Sequence, residues 1–305
     1  MSRAAVTVAP PFSRRSFAVP AVSRGVPPHV YFVGSAVFHY LGPAFAVLLF
    51  ARISPLGVAW LRIVTAAIVF AAWRKPWRRL TAVDSGTRRL LLALGAVFAA
   101  MNSCFYLAID RLPLGTVAAI EFVPVILLAA FGVRTMRNAA ALALAVPGVY
   151  VLTDVRLVSE PVGIAFAFAN AALFALYIVL AHRVARNERL DRLDGLAAAM
   201  LIAAVAITPI GGVGAARALL DPIALAAGVG VGVASSVIPY VCDQLAMARL
   251  PRATYSLMVS LLPATAILVG VVVLAQLPSD TDLVGVGLIV AAVALHRQPQ
   301  AGPVD

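Results

Sequence analysis

Leu107–Thr116 reads LAIDRLPLGT, and Leu245–Thr254 reads LAMARLPRAT. Six of the ten positions are identical, at an offset of 138 residues. Each copy joins two apolar segments, the third to the fourth and the eighth to the ninth. The offset therefore equals five segments. Five is odd, so the two copies sit in opposite orientations across an apolar layer. The first connection faces outward and the second faces inward. Short apolar sequences can resemble one another by chance, but a shared Arg-Leu-Pro core at matching junctions argues against that. The expectation is a 5+5 inverted repeat, the architecture of proteins that expose a midplane site alternately to the two sides of a membrane.

Composition leads to the same layer. The chain has 305 residues, 62% of them hydrophobic and only 12% charged, with a mean hydropathy of +0.98. Soluble domains carry about twice that charge, so a soluble enzyme is excluded. A chain this apolar is not disordered as a whole. Ten spans of about 20 residues would occupy about 200 positions, which leaves no room for a soluble catalytic domain. Ten apolar segments are bounded by charge, Pro or Gly, at about 29–50, 57–73, 89–108, 115–133, 138–153, 162–182, 195–213, 222–245, 252–275 and 282–296. None alternates with period two, so the strands of a membrane barrel are excluded. The fold class expected is all-α and polytopic, with ten transmembrane helices.

Lys and Arg set the orientation. With the N-terminus inside, 19 of the 24 fall in inside segments, four fall in outside loops, and Arg62 lies within the second span. That asymmetry predicts an inner-membrane protein with both termini cytoplasmic. It also explains the net charge of +11 without nucleic acid. Residues 1–28 carry four Arg and no acid and read as a flexible basic cytoplasmic tail. Ser13–Phe17 resembles a twin-arginine signal, but the apolar run after it is broken by Pro20, Arg24, Pro27 and Pro28. The first repeat covers 29–153. The sixth span and its flanking loops, 154–193, open the second repeat. Spans seven to ten cover 194–297, and 298–305 form a cytoplasmic C-tail. Cys104 and Cys242 make neither a disulfide framework nor a zinc pattern. His39 and His182 are isolated. No metal and no cofactor is expected.

Ionisable residues inside spans are costly and mark function. Glu121 is seven residues into the fourth span, about 10 Å along the axis, between Ile120 and Phe122. It can exchange a proton or bind a substrate ammonium; alternatively it bonds to a neighbouring helix. Arg62, in the second span, either snorkels to the surface or pairs with Glu121 or a substrate carboxylate. Asp243, in the eighth span, is hydrated, paired with Arg249, or functional. Asn102 and Tyr106 share one face of the third span at spacing i, i+4, and Tyr240 is the repeat partner of Asn102. Asn170 and Tyr177 share a face of the sixth span. Tyr255, Ser256 and Ser260 lie on the ninth. These polar groups orient a small substrate or bond one helix to another. Pro124 and Pro263 withhold an N–H from the carbonyls of Ile120 and Val259. Matching helix breaks in the two halves point to a midplane site, unless both are ordinary kinks.

No phosphate loop, HExxH or nucleophile elbow is present, so the reading is a non-enzyme: a secondary transporter in the lipid bilayer for a small molecule, with proton antiport through Glu121 as one mode. An uncoupled facilitator or importer is the alternative in the same class. A membrane-embedded lipid-modifying enzyme is the alternative in another, and it lacks the polar cluster it would need. A scaffold would leave Glu121 and the repeat unexplained.

Met101–Pro124, reading MNSCFYLAIDRLPLGTVAAIEFVP, resembles the helix 3–4 region of EamA-type transporters of the drug/metabolite transporter superfamily, and most nearly the bacterial threonine/homoserine exporters. Leu61-Arg62, Lys75-Pro76-Trp77, Pro239-Tyr240 and Arg249-Leu250-Pro251 extend the resemblance in order along most of the chain. It implies ten helices, both ends inside, two EamA repeats and export of a small metabolite, an amino acid such as threonine or homoserine. Glu121 and Arg62 fall on matching positions, and Asp243 falls where the exporters carry Glu. The chain departs at Leu262, where they tend to have an acid, at Ala275-Gln276, where they tend to read Gly-Glu, and at Val47, where they carry Lys. Fewer charges imply a less polar substrate or a different coupling ion.

Overall fold

The computed structural model describes residues 26–77, 83–132, 135–185, 192–216, 218–247, 249–250 and 258–295. Among these residues there are helices and connections and no strand. That follows from the solvent. Lipid offers no hydrogen bonds, so an open chain must satisfy its backbone within each helix.

The helices are α1 (Pro28–Leu49), α2 (Pro55–Arg74), α3 (Ser85–Ile109), α4 (Leu114–Gly132), α5 (Met136–Ser159), α6 (Pro161–Ala185), α7 (Arg192–Ala215), α8 (Pro222–Gly232), α9 (Ile238–Met247), α10 (Leu262–Leu274) and α11 (Asp280–Leu295). A π-helical turn, Val233–Val237, joins α8 to α9 without a break. The 222–245 segment is therefore one rod with a wide turn inside it. Among the described residues, six helical runs are long and apolar enough to cross a membrane, and three shorter apolar helices accompany them.

Helix starts are set by local chemistry. Pro opens α1, α2 and α8 in the first turn, where its missing N–H costs nothing. Ser54 caps α2, with its hydroxyl accepting from the Gly57 N–H at 3.2 Å. Asp84 caps α3. The Thr87 hydroxyl donates to it at 2.7 Å, and with the N–H groups of Gly86 and Thr87 it holds the carboxyl below the usual carboxylate range. That cap stabilises α3 at neutral pH and is lost as pH falls through the lowered pKa. Several helices run a few residues past their apolar segments, because capped ends extend beyond the apolar stretch.

The ninth expected segment differs. Met258 and Val259 are helical, Ser260 and Leu261 form a turn, and α10 starts at Leu262. Pro263 explains the restart, since it fits the first turn of a helix but not its interior. Residues 1–25 and 296–305, which hold most of the expected tails, lie outside the described residues. So do 251–257, with Tyr255, Ser256 and the end of the second repeat copy.

Packing pairs helices far apart in sequence. α2 lies along α7, α3 along α6 and α7, and α5 along α11. α1 lies against α8, the π turn, α9 and α10, and α4 against α5, α6, α10 and α11. The main core gathers Tyr40, Leu61, Tyr106, Val117 and Ile120 from α1 to α4. Small residues permit the closest contacts. A Cβ on Gly57 would lie 2.6 Å from the carbonyl carbon of Gly214 on α7. At the other end of the same pair, Arg74 Nε donates to Asp194 Oδ1 at 2.8 Å, with the Asp194 side chain only 4% exposed.

Two outcomes are expected. Gly57→Ala forces α2 from α7 and destabilises by about 1–3 kcal/mol; Gly230→Ala, where a Cβ meets nothing within 4 Å, leaves the detergent melting temperature unchanged or raised. Ala275 holds a left-handed φ of 53°, which costs a non-glycine residue about 1–2 kcal/mol. Ala275→Gly therefore raises the melting temperature in the same assay.

Candidate functional site

Arg62 is seven residues into α2, and Glu121 is seven residues into α4. Each is about 10 Å from the start of its helix. Both are partly buried, and both have found partners.

Arg62 does not snorkel. Its Nε donates to Ser236 Oγ at 3.1 Å and its Nη2 to the Ser235 carbonyl at 3.3 Å. Both acceptors belong to the π turn. The Ser235 carbonyl is open because the residue four positions on is Pro239, which has no N–H. The wide turn arises in the same place: the Ile238 N–H reaches back five residues to Val233. A proline thus frees a carbonyl, and an arginine from another helix takes it. The Arg62 Cζ also lies 5.7 Å from the centre of the Tyr106 ring, within cation–π range. From α1, the Ser35 hydroxyl donates to the Pro239 carbonyl at 3.2 Å. Gly42 of α1 lies so near the π turn that a Cβ there would collide with Ser235.

Glu121 is half-buried, between fully buried Ile120 and buried Phe122. Its Oε1 accepts from Asn170 Nδ2 of α6 at 3.3 Å. Three buried polar atoms have no hydrogen-bond partner among the described residues: Tyr40 Oη, Tyr106 Oη and Asn170 Oδ1.

The site thus brings together Glu121 with Asn170, and Arg62 with Tyr106, among the residues read from sequence. Others lie apart. Tyr240 packs edge-on to Phe70 at 5.2 Å, toward α2 and α7. Asn102 donates to the carbonyl of Phe98 in its own helix at 2.8 Å. Asp243 is seven residues beyond Ser236, about 10 Å further along the rod. Ser260 is buried in the turn before α10. Pro124 is buried within α4, three residues past Glu121, whereas Pro263 opens α10. Gln276 Oε1 accepts the Leu114 N–H at 3.1 Å and so anchors the start of α4.

Tyr40 was not singled out from sequence, because one tyrosine in an apolar helix carries no signal. Ser235 and Ser236 did leave a trace: a polar pair ahead of Pro239 in an apolar rod.

A cation and a carboxyl group, both partly buried at one depth of an apolar helical bundle, fit a multi-pass membrane transport protein. A family model described as the EamA-like transporter family matches residues 161–297. The threonine/homoserine exporter RhtA of Salmonella typhimurium (strain LT2) is 31% identical over 272 residues, covering 87% of this chain and 90% of the relative. The exporter of the same name from Escherichia coli K12 is 32% identical over 255 residues, covering 82% of this chain and 84% of the relative. A solved crystal structure superposes with a TM-score of 0.54 at 18% identity, over 88% of this chain and 96% of that one; it shows a shared fold alone. The chain belongs to the EamA-like transporter family.

The π-turn contact has a testable cost. Ser236→Ala removes an acceptor from a buried cation and destabilises the protein by about 1.5–3 kcal/mol. Ser236→Thr, which keeps the hydroxyl, restores most of that loss. Thermal unfolding in one detergent checks both.

Proposed function

We propose that the chain is an inner-membrane secondary exporter of small zwitterionic metabolites, amino acids such as threonine or homoserine. One observation carries this reading: a guanidinium and a carboxyl group, Arg62 and Glu121, each seven residues into its helix and each held by a hydrogen bond with another helix of the same bundle. A free amino acid presents the complementary pair. Its carboxylate matches Arg62, and its ammonium matches ionised Glu121. The relatives named as threonine/homoserine exporters support this substrate class.

The cycle is proton antiport. Facing outward, Glu121 takes a proton and releases the substrate ammonium. Facing inward, substrate binding displaces that proton. A single carboxyl group that holds either a proton or an ammonium, never both, couples the two flows.

Ten spans in a 5+5 inverted repeat, with both termini cytoplasmic, supply the alternating access. The helix pairings support this arrangement. Counting α8, the π turn and α9 as one span, replace each helix by its counterpart five spans away. The α3–α6 pairing becomes the pairing of that rod with α1, and α4–α6 becomes α10–α1. The α2–α7, α4–α10 and α5–α11 pairings map onto themselves. The inside excess of Lys and Arg supports the orientation.

The test is substrate-driven proton movement in proteoliposomes with the purified chain. Threonine or homoserine is expected to drive proton flux in the wild type and none above background in Glu121→Gln. Flux that persists in that variant moves the coupling elsewhere, with Asp243 next. Substrate movement without proton flux leaves an uncoupled facilitator.

A further inference from the structure

The two Arg-Leu-Pro corners fold alike. In the first, the N–H groups of Arg111 and Leu112 both donate to the Ala108 carbonyl, at 3.0 and 2.8 Å. In the second, those of Arg249 and Leu250 both donate to the Ala246 carbonyl, at 3.1 and 2.8 Å. Each arginine then lies over an aromatic ring of another helix. The Arg111 Cζ is 5.9 Å from the centre of the Phe166 ring on α6, and the Arg249 Cζ is 5.9 Å from that of Tyr31 on α1. Each leucine is buried against the same helix as its arginine. Leu112 meets Gly163 of α6, where a Cβ would come 3.0 Å from its Cγ, and Leu250 packs with Phe32 and Ala36 of α1. The match continues one turn deeper. Asn170, four residues past Phe166, donates to Glu121 of α4. Ser35, four residues past Tyr31, donates to the Pro239 carbonyl of α9. Positions i and i+4 share a helix face. Each corner thus sets the register of a helix whose next polar group bonds back to the corner's own arm. One cation–π contact is weak, but two that agree in backbone bonds, ring distance, packed leucine and polar follower form a built pair.

We propose that the Arg-Leu-Pro corners are fixed clamps in the transport cycle, Arg111 fastening α6 to the α3–α4 corner and Arg249 fastening α1 to the α9–α10 corner, so that the bundle opens between these two units and not within them. A gate that alternates is open on one side when it is closed on the other. The two corners are five spans apart and lie on opposite sides of the bilayer, yet both are closed, to the same distance. The α4–α10 pairing has the opposite character. It joins one unit to the other and is its own counterpart in the repeat, so its two ends face the two sides, as a pair of gates must. One end is joined by the bond from the Leu114 N–H to Gln276 Oε1. The inference rests on the alternating-access reading above and adds which contacts move. Arg111 and Arg249 are positioning residues, and neither needs to touch substrate.

The experiment uses the full chain with Cys104→Ala and Cys242→Ala. Two disulfides are compared by counterflow of labelled threonine in proteoliposomes. Arg111→Cys with Gly163→Cys locks the first corner, where the two Cβ atoms face each other at 2.9 Å. Leu114→Cys with Gly270→Cys locks the seam, where they are 4.0 Å apart, within the usual range for a disulfide. Counterflow is expected to survive the corner lock and to be lost under the seam lock, returning on reduction. Loss under the corner lock, reversed by reduction, makes the corner a gate and overturns the proposal. Survival under the seam lock overturns the seam. Spin-label distances in nanodiscs need neither a disulfide nor a substrate. Labels at the exposed positions Asp110 and Val162 flank the corner, and labels at Asp110 and Leu277 span the seam. One narrow distance is expected for the first pair and two populations for the second. Two populations for the corner pair overturn the clamp and leave alternating access standing. A single population for the seam pair overturns both.

Discussion

A guanidinium buried in an apolar bundle must be held by acceptors, and no apolar side chain can serve. Arg62 meets that demand with the Ser235 carbonyl and the Ser236 hydroxyl. Such acceptors are scarce inside a helix, where each carbonyl is already committed to an N–H four residues on. Pro239 releases one of them, and the π turn presents it. The contact therefore ties three things together: the register of α2, the wide turn of the α8–α9 rod, and the close approach of α1 at Gly42.

The same constraint shapes the other half of the site. Glu121 would be expensive alone, and Asn170 reaches it from α6. The helices that carry the two charges are held by small-residue contacts and by the Arg74–Asp194 pair at one end of α2 and α7. The scaffold is therefore rigid where it positions charge. Two side chains with a polar atom unpartnered among the described residues lie at those charges, Tyr106 at Arg62 and Asn170 at Glu121.

Much of this was legible in the chain. Apolar runs bounded by Pro, Gly and charge located most of the helices within a few residues, because membrane burial is read from local composition. Burial cost alone singled out Glu121 and Arg62, and the i, i+4 rule singled out Tyr106. Polarity within an apolar segment was a weaker guide elsewhere. Asn102 turns to its own helix, and Tyr240 packs on Phe70. An amide or phenol has several ways to be satisfied, whereas an isolated charge has few. Pro263 was read as a helix break or an ordinary kink within the ninth span, and the chain turns at Ser260–Leu261 and restarts as α10 there; sequence does not say on which side of a proline the chain restarts.

The sequence by itself determined an all-helical, membrane-embedded chain, the places where its helices begin, and the two residues whose charge could not be buried without a reason. These are local properties, set by the chain's own composition and by lipid as a solvent. Only the tertiary structure decided that Arg62 meets a turn some 170 residues away, and that Asn170 reaches Glu121. Those meetings depend on which helix faces pack together, and that is settled by volume and close approach between segments that no local pattern relates.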